Sequence, residues 1–202
     1  DTQPLNALTI GNATLTFTNW NTMLSATTLT IQSNGVFALP AAFTDAQVSN
    51  NVYIVCSNLT IDPGGRIDAD GAGYVGGRTA WTAGYGPGAG LGAGSYGGRG
   101  GSGVAPYGQS EAPLAPGSGG CCGTDPGNGA GGNGGGAVRV QASGTVTVNG
   151  LITACGGNAS GIYNAYPGSG GSIYIVCNTL GGTCTGPNDG VVTAAGGSQS
   201  AY

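Results

Sequence analysis

Asp68 and Asp70 are the residues of this chain best suited by type and spacing to do chemistry. Two acids flanking a glycosidic bond can protonate the leaving oxygen and activate a water, as glycoside hydrolases do. Together with Asp62 they also offer oxygen ligands for Ca²⁺, but the sequence around them is not a complete calcium loop. The rest of the repertoire is thin. There is no His, and the basic residues are four arginines: Arg66, Arg78, Arg99 and Arg139. A Ser or Cys nucleophile needs an activating base, and the usual bases are missing. The glycine runs lack both the Gly-Lys-Ser/Thr phosphate loop and the dinucleotide fingerprint after a strand. Trp81 and Tyr85 offer rings for stacking on sugars, but packing of the surrounding glycine-rich stretch accounts for them more simply.

Internal comparison weakens the acid pair further. A strand–turn–strand unit recurs along the chain. One copy runs Val52–Cys56, Leu59–Ile61 and Arg66–Gly71. A second runs Val138–Ala142, Val146–Val148 and Leu151–Gly156, and a third Ile173–Cys177 and Val191–Gly196. Asp68 then aligns with Thr153 and Thr193, and Asp70 with Cys155 and Ala195, so neither acid belongs to the repeat. The apolar positions do. Val52, Val138 and Ile173 align, as do Ile54, Val140 and Ile175, and also Ile67, Ile152 and Val192. Lighter copies fill residues 5–39. Period-two alternation of β-branched residues predicts strands throughout, with one helical turn at most, over 41–48.

Strands joined by turns, with glycine-rich loops between copies, predict an all-β protein built as a short parallel β-solenoid. The alternative is an antiparallel β-sandwich of the same strands. Stacked copies would place Arg139 between Tyr53 and Tyr174, and Val55, Gln141 and Val176 on the outer face. The chain reads as a single domain over 1–202. Residues 1–50 hold N-terminal strands able to add to a neighbour's sheet, 51–71 and 137–197 the solenoid coils, and 72–136 a long glycine-rich excursion. That excursion is either a flexible linker or an ordered set of extended segments. Tyr74, Trp81, Tyr85, Tyr96 and Tyr107 favour order.

Composition bounds the function. Gly is 45 of 202 residues, far above the roughly 7% of an average chain. Charged residues are 6% and the formal charge is −4, which argues against nucleic-acid binding. No apolar run is long enough for a membrane span. No cofactor, metal or catalytic residue is expected.

Six cysteines without metal-type spacing point to disulfides in an oxidising compartment. The candidates are Cys56, Cys121, Cys122, Cys155, Cys177 and Cys184. Cys177 with Cys184 is a local possibility. Cys56 and Cys177 would stand two coils, roughly 9–10 Å, apart, beyond the reach of a bridge. Asn12, Asn58 and Asn158 open N-glycosylation sequons.

The runs Gly134–Val140, Val146–Gly157 and Gly170–Leu180 resemble the glycine-rich β-helix repeats of large secreted, adhesin-like surface proteins. That resemblance implies a right-handed parallel β-helix, an extracellular structural or adhesive role and no shared catalytic residues. The function expected is a non-enzymatic extracellular subunit that assembles with itself into a filament, sheath or surface layer. An adhesin or glycan-binding module is the alternative, and a β-helical polysaccharide lyase or hydrolase a lesser one.

Overall fold

Alternation of apolar and polar residues puts every second side chain of each strand on one face, and the chain buries that face by pairing copies side by side. The computed structural model describes residues 4–47, 51–101, 103–123, 129–161 and 164–199. Strands β1 (Leu5–Ile10), β3 (Leu24–Ile31), β5 (Val52–Ile61), β8 (Ala137–Ala142) and β12 (Ser172–Val176) lie side by side in that order. β9 (Thr145–Val148) pairs with β5, and β13 (Thr179–Gly181) pairs with β9, making a sheet of seven. A second sheet of five takes the order β2 (Thr14–Thr16), β4 (Val36–Ala38), β6 (Arg66–Asp68), β10 (Leu151–Thr153) and β14 (Val191–Thr193). The two-residue strands β7 (Gly129–Ala130) and β11 (Ser160–Gly161) form a small antiparallel pair. Among the described residues the only helical piece is a 3₁₀ turn, Asp45–Gln47.

Every pairing within the two large sheets is parallel and in register. Val52 faces Val138, which faces Ile173. Leu8, Leu29, Leu59, Val146 and Leu180 form one column across the first sheet. Leu15, Phe37, Ile67, Ile152 and Val192 form another across the second. One residue is gained midway: Cys56 faces Ala142 but Leu59 faces Val146, so Ser143–Gly144 make a bulge. Asn58 Oδ1 accepts a hydrogen bond from the Thr145 amide there, at 3.0 Å. The columns of both sheets meet in one core, where Leu29, Ile54, Phe37, Ile67 and Ile152 are wholly buried. Phe17 stands edge-on to Phe37, with ring centroids 5.6 Å apart.

The expected closed β-helix is corrected by this arrangement. The strands make two separate, layered parallel sheets of seven and five strands, and among the described residues no third sheet closes them into a solenoid. The antiparallel sandwich fails as well, because both large sheets are parallel. The physical reason lies in the glycine-rich segments. Without side chains they form no pleated ladder; they pack backbone against backbone in several directions. Segment 117–121 exchanges backbone hydrogen bonds with four neighbours, where a strand has two. Tyr74 N donates to Gly117 O, Gly117 N to Gly135 O, Gly119 N to Tyr85 O and Ser169 N to Ser118 O, all at 2.8–3.1 Å.

Glycine is required for this approach. A Cβ on Gly134 would lie 1.8 Å from Gly117 O, and one on Gly170 would lie 1.9 Å from Ala194 O. Aromatic rings fasten the lattice at its margins. Tyr74 stands edge-on to Phe43 at 5.1 Å, and Tyr96 to Tyr107 at 5.0 Å. The Tyr107 hydroxyl donates to Pro116 O and accepts from Ser118 Oγ.

These contacts predict two opposite outcomes for one substitution type. Gly134→Ala should cost about 1–3 kcal/mol as an overpacked site. Gly97→Ala, whose Cβ would meet nothing within 4 Å, should change stability by less than about 1 kcal/mol. Urea unfolding of both variants measures this, and equal losses would refute the lattice argument.

Candidate functional site

The two acids leave the strand β6 in a turn and are engaged there structurally. Asp68 Oδ1 accepts the Asp70 amide at 3.2 Å, while its Oδ2 lies 3.3 Å from Arg66 Nε in an exposed ion pair. Asp70 Oδ1 accepts from the Thr153 hydroxyl and from the Cys155 amide. Asp70 thus fastens β6's exit to the next copy, at the place where Thr153 and Thr193 continue Asp68's column. Through these donors the exposed Asp70 carboxylate makes a tie between copies. Asp62 is not drawn in; among the described residues no group of three acids, cysteines or histidines is placed to hold a metal.

The six cysteines are unpaired in this structure. Register is the reason for Cys56, whose column partners are Ala26 and Ala142 rather than another cysteine. Cys121 and Cys122 are buried in the glycine lattice, where their thiols donate to Cys122 O and Gly129 O. Cys155 lies between Thr153 and Thr193. Cys184 is exposed and bonds only locally, to Gly186 O. Burial pushes the Cys56 thiol up to about 11. Burial, reinforced by Cys122, also raises Cys121. Neither shift makes a reactive thiolate, since both favour the neutral form.

On the outer face of the first sheet the Arg139 guanidinium lies 4.4 Å from the Tyr53 ring centroid. Tyr174 is its register partner on the other side. The Tyr53 hydroxyl donates to Gln141 Oε1 at 2.9 Å. Val55, Gln141 and Val176 line an open groove of about 420 Å³ with Ser25, Thr27 and Ser57. A second groove of about 490 Å³ runs beside Tyr96, Arg99, Pro167 and Gly196 and is walled mainly by backbone. Neither groove gathers acids or a base. Trp81 is 54% exposed, in a left-handed backbone conformation with φ 53°. Tyr85 is exposed in the same segment, whose amides and carbonyls are tied to Gly119, Cys122 and Gly123. The sequon residues Asn12, Asn58 and Asn158 are all exposed. Their Oδ1 atoms accept from Asn34 Nδ2, the Thr145 amide and the Ser198 amide.

The two ends of the stack, where a repeat of this kind must stop, are the remaining surfaces. β1 and β2 end the two sheets on one side; β12, β13 and β14 end them on the other. The columns of the core run out to both. Leu180 is 60% exposed and Val192 46% exposed, although the residues before them in their columns, Val146 and Ile152, are wholly buried. Leu8, Ile10 and Leu15 are half-buried at the opposite end. No strand at either end carries a charged residue or a proline, the usual devices that block edge pairing. The signal was available in the sequence: the same apolar columns pass through the first and last copies unchanged.

No known protein family, curated protein or solved structure matches this chain.

Among the described residues the contacts named above pair no acid or nucleophile with a base, and Leu180 and Val192 leave apolar strand edges exposed. No helix among the described residues is long and apolar enough to cross a membrane.

The buried thiols carry a pH prediction. Cys56 titrates near 9.0 when unfolded and about 11 when folded. Stability from keeping it neutral is fully present below pH 9 and is lost as pH rises toward 11. The loss reaches up to about 2–3 kcal/mol. Denaturation midpoints at pH 8 and pH 10 should show a smaller drop for Cys56→Ala than for the wild type. An unchanged slope would place the alkaline sensitivity elsewhere.

Proposed function

We propose that this protein is a non-enzymatic extracellular structural protein, a subunit that assembles with itself into a filament, sheath or surface layer. The observation that carries this reading is the pair of apolar, unguarded sheet ends, where Leu180 and Val192 expose columns that are buried one strand earlier. Exposed parallel edges pair readily with another chain. Burying such columns is favourable by about 25 cal/mol per Å² of apolar surface. Composition fits a material role: little charge to solvate, much glycine for close backbone contact, and three exposed asparagines available for glycosylation outside the cell. Engagement of Asp68 and Asp70 in structural hydrogen bonds argues against a hydrolase.

Light scattering over a rising concentration series, followed by electron microscopy, tests the reading. The expected result is growth of ordered filaments or arrays. Monodisperse particles at high concentration would remove it.

A second reading, a glycan-binding adhesin, draws on Trp81. A bulky residue at positive φ is strained by about 1–3 kcal/mol, and such strain gathers at binding sites. A glycan array run with wild type and Trp81→Ala distinguishes the two: binding that the substitution abolishes supports the adhesin, and a silent array leaves assembly as the function.

A further inference from the structure

The self-assembly just proposed leaves the joint unspecified, and the structure carries it further. We infer that the joint is heterologous: the β12–β13–β14 end of one copy docks on the β1–β2 end of the next, continuing both sheets in parallel register. This inference rests on the proposed assembly and adds its polarity and its contacts.

Two observations select this joint. The first is direction. All strands of both large sheets run parallel, and the two sheets share one order along the chain. A copy translated along the stack therefore presents β1 to the β13 edge and β2 to the β14 edge with strand direction preserved. A two-fold joint of like ends would have to pair strands antiparallel, which occurs nowhere in either large sheet.

The second is register. The column Leu8–Leu29–Leu59–Val146–Leu180 is apolar from end to end, as is Leu15–Phe37–Ile67–Ile152–Val192. Head-to-tail docking sets Leu180 against Leu8 of the next copy and Val192 against its Leu15. Each contact repeats one already made five strands deep inside the chain. β1 also carries Leu5 in the column of Ala26, Cys56 and Ala142. Leu5 is exposed, beside no partner of comparable size.

Polarity makes a distinctive experiment possible. Leu180→Asp blocks only the leading end, and Leu8→Asp blocks only the trailing end. Leu180 is exposed, so its substitution leaves the core of the single copy intact; circular dichroism and the unfolding midpoint of both variants verify folding. Leu15→Asp serves in place of Leu8→Asp should the latter be unfolded. Wild type, each variant alone and an equimolar mixture are compared by sedimentation velocity at a concentration where wild type assembles.

The expected pattern is polymers for wild type, monomers for each variant alone, and dimers in the mixture, because one free leading end and one free trailing end remain. Dimers from either variant alone would show that like ends join, and would overturn the polarity while leaving self-assembly standing. Polymers from both variants would place the joint on another face. Monomers from wild type would remove the assembly reading itself, and this inference with it.

Discussion

Parallel, in-register stacking is the constraint on which the rest of the structure depends. Once Val52, Val138 and Ile173 must share a column, so must every residue of their strands, because a slip of one position turns each apolar side chain outward. The bulge at Ser143–Gly144 shows how strictly this holds. The extra residue is absorbed in one kink, and Leu59 still meets Val146. The same rule demotes the acids. Asp68 occupies a column position that Thr153 and Thr193 fill in the neighbouring copies, so its surroundings are those of a strand exit and its partners are Arg66 and the Asp70 amide.

A second kind of order meets the first at the strand exits. Sheets are limited to two neighbours per strand because their hydrogen bonds lie in one layer. The glycine-rich segments escape that limit. With no Cβ to hold backbones apart, segment 117–121 bonds in four directions and joins parts of the chain as distant as Tyr74 and Ser169. This explains how the long interval between β6 and β8, mostly without strands, is held at all: its described residues are threaded through a lattice. Gly73 N to Gly134 O and Gly136 N to Ala69 O close that interval onto the strand exits. Side chains enter only at the margins, where Ser118, Ser169 and Tyr107 tie the segments by hydroxyl groups.

The columns were legible in the sequence because alternation and internal repetition both report them. The pairings of Ile54 with Val140 and of Ile67 with Ile152 follow directly from aligning the copies. That the two sheets stay separate rather than closing into a coil was not legible. Repetition says which residues stack, but the path between the two sheets runs through glycine, whose pairing has no side-chain signature. The surroundings of the cysteines were illegible for a related reason. A cysteine count carries no register, and register sets Cys56 between Ala26 and Ala142. Cys121 and Cys122, adjacent in sequence, are sealed in backbone contacts and satisfied by carbonyls. The role of Asp70 fell between the two: its absence from the repeat argued against catalysis, but only the hydrogen bonds to Thr153 and Cys155 show what it does.

Column stacking has a consequence at its limits. A helix or a closed barrel completes its own hydrogen bonds, but a parallel stack does not; its last strand presents the same donors and acceptors as any strand within it. Stability then depends on how the ends are treated. Repeat proteins generally finish in polar caps, and a charge or proline at an edge serves the same purpose in sheets. Here the end strands read Leu-Asn-Ala-Leu-Thr-Ile, Thr-Leu-Thr, Ser-Ile-Tyr-Ile-Val, Thr-Leu-Gly and Val-Val-Thr, all uncharged. The ion pair Arg66–Asp68 sits in the middle strand of its sheet, where it guards no edge. Charge is scarce in this chain, and none of it lies in the end strands themselves. An isolated soluble domain would be expected to show the reverse distribution. The arrangement makes sense where the ends are interior surfaces of something larger.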